Sequence, residues 1–113
     1  MDCHVPWAVK GAVSLLGLTF LSLFAIPVSG QTPGESSFKT KCAVCHGADG
    51  RGETAVGRAN KLRDLGAANV QKQSDDELGG VITSGKGKMP SYAKSLDPAQ
   101  IKELVAYIRS FKK

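Results

Sequence analysis

The stretch KCAVCHGADG, which begins at Lys41, places two cysteines one helical turn apart and a histidine directly after the second. Two thiols and an imidazole at this spacing, here Cys42, Cys45 and His46, are typical of three chemistries. They form part of a structural zinc site, act as a thiol–disulfide switch, or attach a haem covalently to the chain. The rest of the sequence has to decide between these three interpretations.

The first 30 residues differ in composition from the rest of the 113-residue chain. After a polar start that ends at Lys10, the run from Gly11 to Val28 carries no charge, and small residues follow it. A basic start, an apolar middle and a small-residue exit are typical of a secretory signal peptide. We expect residues 1–30 to be cleaved on export to the periplasm, leaving a domain of residues 31–113. An uncleaved membrane anchor is the alternative.

Residues 31–113 contain few side chains that can bind a metal. Only one histidine, one methionine (Met89) and the two cysteines of the motif remain in this range. A closed zinc site usually takes four Cys or His ligands in two separated pairs, so the count disfavours zinc. A domain of this size also has a small core, so a disulfide, a metal or a large buried cofactor is expected to stabilise it.

The thiol-switch interpretation lacks its usual surroundings. Thioredoxin-like C-x-x-C motifs lie at the end of a strand in an α/β domain, and the residues after Gly47 show no strand-like alternation. A switch also leaves the histidine without a role. Haem attachment uses every part of the motif: the thiols of Cys42 and Cys45 add to the two vinyl groups of one haem c, and His46 binds its iron.

A haem iron with His46 on one side needs a second axial ligand if it carries electrons, most often a methionine thioether from a distant loop. Met89 is the only candidate in residues 31–113, and it lies in the stretch SGKGKMPSY. Glycines, lysines and Pro90 surround it in sequence, and it belongs to no helical stripe of apolar residues. A role as a gap-filling methionine in the core is therefore disfavoured. We therefore predict His46 and Met89 as the axial ligands.

The local patterns predict helices and no pair of strands. A short helix is expected from Glu35 to Cys42, followed by a glycine-rich loop from Gly47 to Gly57. Ser74 and Glu77 have the spacing of a capping box, which opens a helix that ends at Gly85. Asp97 and Pro98 begin the last helix. Its apolar residues recur at helical spacing: Ile101, Leu104, Val105 and Ile108.

These motifs together resemble the class I cytochromes c, the small single-haem electron carriers. The resemblance implies an all-α cytochrome c fold, with short helices around one covalent haem. It also implies that the first and last helices cross at Gly34, Phe38 and Tyr107. One departure concerns the proline whose carbonyl usually accepts a hydrogen bond from the axial histidine, because Arg63 stands where that proline is expected. Every residue has a backbone carbonyl, so we still expect an acceptor for the histidine. Without the proline ring, we expect that carbonyl to be held less rigidly.

With both axial positions filled by protein, we expect a single-electron carrier rather than an enzyme. A haem subunit or sensor of a membrane-associated redox complex is the alternative. A peroxidase or gas-binding protein is disfavoured, because no second histidine is available as a distal acid or base. The net charge of +5 and the positions of Lys86, Lys88 and Lys94 favour redox partners with acidic docking faces. The sequence contains no clustered run of Lys and Arg, so binding to nucleic acid is not expected. We expect the protein to be a monomer.

Overall fold

The computed structural model describes residues 30–113, and the expected signal peptide or anchor lies almost entirely outside these residues. The described chain is helical and contains no strand beyond an isolated bridge between Lys86 and Met89, which confirms the all-α expectation. Within residues 30–113, no helix is both long and apolar enough to cross a bilayer. The elements in chain order are α1 (Pro33–Ser37), a π-helical segment (Phe38–Cys42), α2 (Ala43–His46), α3 (Ala55–Ala59), α4 (Ala68–Gln71), α5 (Asp75–Ser84) and α6 (Pro98–Arg109).

The first helical stretch is longer than the sequence pattern predicts. It begins at Pro33 because the side chain of Thr32 accepts a hydrogen bond from the backbone N–H of Glu35 at 3.1 Å, as an N-cap does. It then continues without a break through the two cysteines to His46. The wider π-helical turn ends at Cys42, the first cysteine of the motif. Such turns are rare, and they are frequently found at functional sites.

The last two long helices begin as predicted. Ser74 and Glu77 form a reciprocal capping box at the start of α5, and Gly85 follows its last residue. Asp97 caps α6 with Gln100 as its partner, and Pro98 occupies the first turn. The predicted apolar side chains of α6 are all buried: Ile101, Leu104, Val105 and Ile108.

The predicted glycine-rich loop, Gly47 to Gly57, is wrong in its last three residues, because α3 begins at Ala55. Thr54 caps this helix by accepting a hydrogen bond from the N–H of Gly57 at 2.8 Å. The same hydroxyl donates to the carbonyl of Cys45 at 2.7 Å. One threonine therefore starts a helix and fastens it to the cysteine motif, and the short α4 further along the chain was not predicted either.

The crossing of the first and last helices is confirmed. Gly34 is buried against the backbone of α6, and the rings of Phe38 and Tyr107 lie 5.3 Å apart between their centroids. Phe111 completes the cluster at 5.2 Å from Phe38 and 5.1 Å from Tyr107, in tilted and edge-on geometries that aromatic pairs favour. This cluster closes one side of the core.

Candidate functional site

A cavity of about 500 Å³ lies between the first helical stretch, α5, α6 and the two loops that face them. Its volume falls in the range of about 300–1,000 Å³ that is usual for cofactor and ligand sites. Most of its wall is apolar, and it includes the following buried residues: Phe38, Val70, Leu78, Ile82, Leu104 and Ile108. The side chains that form the core therefore also form much of the wall of this cavity.

The structure brings three of the four predicted site residues to this cavity. Cys42, His46 and Met89 all line it, although 47 positions separate the first from the last. Cys45 lies between Cys42 and His46 in the same helical stretch and is half-buried. A thiol, an imidazole and a thioether thus share one apolar space.

The imidazole of His46 is partly buried, and this burial lowers its pKa below the ordinary value. A neutral imidazole has a ring nitrogen free to bind a metal. The other ring nitrogen of a ligating histidine usually donates to a carbonyl or a carboxylate. Here Nδ1 is buried and has no hydrogen-bond partner among the described residues.

The expected carbonyl acceptor for His46 is therefore not found in residues 30–113, and that expectation is corrected. The stretch before Arg63 uses its carbonyls to close its own turn. The Gly57 carbonyl accepts from the N–H of Leu62 at 2.9 Å, and the Arg58 carbonyl accepts from the N–H of Lys61 at 3.1 Å. Lys61 has a positive φ of 52°, a left-handed conformation that residues other than glycine rarely adopt.

The two cysteines form no disulfide with each other. Burial raises the pKa of the Cys42 thiol to about 11. Val44, between them in sequence, has 69% of its surface exposed. The cysteines thus sit on the inner side of a helical turn whose outer side faces solvent.

Met89 belongs to a closed turn. Lys86 and Met89 exchange two backbone hydrogen bonds, at 3.0 and 3.1 Å. Gly85, just before this turn, has a φ of 75°, and a Cβ there would lie 2.6 Å from the carbonyl oxygen of Met89. Only glycine fits such a close backbone approach in that conformation. The turn thus holds Met89 half-buried against the core.

Four cations line the cavity, and all four are exposed: Lys61, Arg63, Lys86 and Lys88. The sequence predicted the last two, but it did not place Lys61 and Arg63 there. Lys61 and Arg63 are placed there by the turn after α3, and no local sequence motif predicts that turn. Lys94 is exposed and follows the Met89 turn in sequence.

The residues of the cavity fit a haem c. The space is large and apolar, two thiols are available for covalent attachment, and an imidazole and a thioether can serve as axial ligands. The buried Nδ1 of His46 has no hydrogen-bond partner among residues 30–113, and such an atom beside a cavity indicates a site for a bound group. The exposed cations can balance the charge of acidic groups on a cofactor.

Comparisons with known proteins agree with this assignment. The family described as "Cytochrome C oxidase, cbb3-type, subunit III" matches residues 30–108. The cbb3-type cytochrome c oxidase subunit CcoP of Rubrivivax gelatinosus is 38% identical over 78 residues, which cover 68% of this chain and 24% of that subunit. The chain spans about a quarter of the length of the CcoP relatives that it matches.

Small cytochromes are matched over much more of their length. Cytochrome c6 of Limnospira maxima is 33% identical over 78 residues, covering 66% of this chain and 85% of the relative. Among solved structures, the KustC0563 c-type cytochrome superposes with a TM-score of 0.66 at 33% identity, covering 71% of this chain and 98% of the other. The family match over residues 30–108 includes the cysteine motif, the Met89 turn and most of α6.

Proposed function

Because the chain belongs to the cytochrome c family and binds haem c covalently, we propose that residues 31–113 act as a single-electron carrier between larger redox proteins. The observation that carries this proposal is that His46 and Met89 line one cavity. Two axial ligands from the protein leave no position on the iron for a substrate. The domain then has no catalytic residue of its own, and its task is to hold the haem and present it to partners.

Each of the four site residues has one role in this proposal. Cys42 and Cys45 form the two thioether bonds, and their place on consecutive helical turns matches the spacing of the motif. His46 and Met89 are the axial ligands. The haem supplies one-electron chemistry, since its iron is stable in the ferrous and ferric states. The soft thioether of Met89 favours the ferrous state and so raises the reduction potential relative to two imidazoles.

The exposed lysines favour an acidic partner. Lys86 and Lys88 stand on the rim of the cavity, and Lys94 follows in the same loop region. Positive charge at the point where electrons leave increases the rate of encounter with an acidic protein. We place this exchange in the periplasm, after removal of residues 1–30.

A second candidate function is that of a haem subunit within a membrane-bound redox complex. The matches to CcoP subunits favour it, as does the alternative that residues 1–30 remain as an anchor. Fractionation of cells that express the full chain separates the two. A carrier is recovered in the periplasmic fraction without its first 30 residues, whereas an anchored subunit stays with the membrane at full length.

An optical spectrum of the purified protein tests the proposed ligands directly. We expect the spectrum of covalent haem c and, in the ferric state, the weak sulfur-to-iron charge-transfer band of a bound methionine. Met89→Ala should abolish this band, lower the potential and allow carbon monoxide to bind the ferrous protein. A wild-type protein that lacks the band and already binds carbon monoxide readily contradicts the proposal.

A further inference from the structure

The segment that carries Met89 is attached firmly to α5. The hydroxyl of Ser91 donates to the carbonyl of Thr83 at 2.6 Å, and the N–H of Ala93 donates to the same carbonyl at 3.2 Å. The N–H of Tyr92 donates to the carbonyl of Ile82 at 3.1 Å. These bonds fix the segment to the helix that precedes it in sequence.

One side chain reaches from this segment to the helical stretch that carries the cysteine motif. The hydroxyl of Tyr92 donates to the backbone carbonyl of Lys41 at 3.1 Å, across 51 positions of sequence. Lys41 directly precedes Cys42, within the π-helical segment. Among the hydrogen bonds of the described residues, this one joins residues 86–95 to the helical stretch that carries the cysteine motif.

Packing supports the same connection. Tyr92 is half-buried and contacts the hydrophobic core together with Cys42 and Met89. Burial raises the pKa of its hydroxyl, so the group stays protonated and able to donate at neutral pH. The tyrosine therefore links the wall that bears one proposed axial ligand, His46, to the wall that bears the other.

We propose that Tyr92 is a positioning residue that keeps the Met89 turn closed against the cysteine-bearing helix and so slows dissociation of the methionine from the iron. This inference rests on the proposed His46 and Met89 ligation. Among the described residues, the other contacts between the two walls are made by side-chain packing. A hydrogen bond makes a net contribution to stability of about 0.5–1.5 kcal/mol. Its loss should therefore raise the equilibrium constant for opening of the Met89 turn by about twofold to tenfold.

The chain offers a matched control, because it contains two tyrosines, Tyr92 and Tyr107. Tyr107 lies in the aromatic cluster of α6 with Phe38 and Phe111. Each Tyr→Phe change removes a single hydroxyl and keeps the ring. The experiment mixes the ferric holoprotein with excess imidazole and follows the loss of the sulfur-to-iron band, at a concentration where methionine dissociation limits the rate.

We expect Tyr92→Phe to exchange its ligand about twofold to tenfold faster than the wild type, and Tyr107→Phe to exchange at the wild-type rate. Unfolding in guanidinium, followed by far-ultraviolet circular dichroism, shows whether a general loss of stability explains the change. Equal exchange rates in the wild type and Tyr92→Phe overturn the inference and leave the proposed ligands intact, as does an equal acceleration in both variants. A wild-type ferric protein without the band overturns both.

Discussion

Gly34 of α1 lies directly on the backbone of Glu103 in α6. A Cβ built on Gly34 would be 2.2 Å from the carbonyl oxygen of Glu103 and 2.7 Å from its carbonyl carbon, far inside normal contact distances. The first helix therefore reaches α6 at a point where only a glycine allows it to pass. Since α1 runs continuously into the cysteine motif, this contact also sets the position of Cys42 and His46 relative to the core.

Gly34→Ala should destabilise the protein strongly. The added methyl group meets backbone atoms, which cannot rotate away, so the two helices have to separate. Overpacking of this kind costs about 1–3 kcal/mol and occasionally more. The measurement is the free energy of unfolding of the holoprotein in guanidinium.

Gly80→Ala is the matched control for that change. Gly80 lies within α5, and nothing lies within 4 Å of a Cβ built there. Alanine in an exposed helix interior is more favourable than glycine by about 0.8–1.0 kcal/mol, so this variant should be more stable than the wild type. Equal destabilisation by the two alanines would show that the contact with Glu103 does not determine the effect.

The sequence predicts the ends of the long helices well, because their signals are local. Ser74 with Glu77 and Asp97 with Gln100 satisfy backbone groups within three positions of each other, so the pattern alone contains the whole interaction. The same holds for the cysteine motif, whose three side chains follow one another in a single helical stretch.

The loops around the cavity were less predictable, because distant partners shape them. Thr54 starts α3 while its hydroxyl bonds to the carbonyl of Cys45. Gly57 is buried where a Cβ would lie 2.1 Å from the carbonyl oxygen of Gly52. Arg109 donates to the carbonyls of Gln71 and Gln73 at 3.0 and 2.6 Å. None of these partners can be identified from spacing along the chain.

Removal of both motif cysteines should release the haem. With Cys42→Ala and Cys45→Ala together, no thioether bond remains, so acidified organic solvent should extract the haem from the protein. Each single variant should keep it through one thioether. The measurement is the partition of haem absorbance between solvent and protein. Retention of haem by the double variant contradicts covalent attachment at these two residues.

The salt bridge between Asp64 and Lys113 should make stability depend on pH in the acid range. Asp64 bonds to Lys113 and accepts from the N–H of Gly66 at 2.8 Å. The Lys113 ammonium and the Gly66 N–H lower the pKa of this carboxyl below its ordinary value of 3.8. A carboxyl with a lowered pKa stabilises the folded state above its ordinary pKa, and this contribution is lost as the pH falls through the folded-state value.

The test of that linkage compares wild type with Asp64→Asn. We expect the wild type to be the more stable protein at pH 6 and the difference to shrink as the pH falls below 3.8. Urea unfolding at a series of pH values measures it, with Asp76→Asn, an exposed change at the start of α5, as the control. A difference that is the same at pH 6 and pH 2.5 would assign the effect to something other than this carboxylate.

The lysines on the rim of the cavity should guide the approach of an acidic redox partner. Lys86 and Lys88 are exposed and line the cavity, and such attraction is screened over about 8–10 Å at ordinary ionic strength. The second-order rate of electron transfer with an acidic partner should therefore fall as salt is added. It should be lower still, and less dependent on salt, when both lysines become Glu.

Lys102→Glu with Lys112→Glu changes the net charge of the protein by the same amount at exposed positions that do not line the cavity. Stopped-flow rates across a salt series compare this control with Lys86→Glu/Lys88→Glu. The reduction potential should change little in either pair, because all four side chains are exposed to water and their charges are well screened. If the two pairs slow the reaction equally, net charge rather than this rim governs the encounter, because a local docking face responds to where the charge is placed.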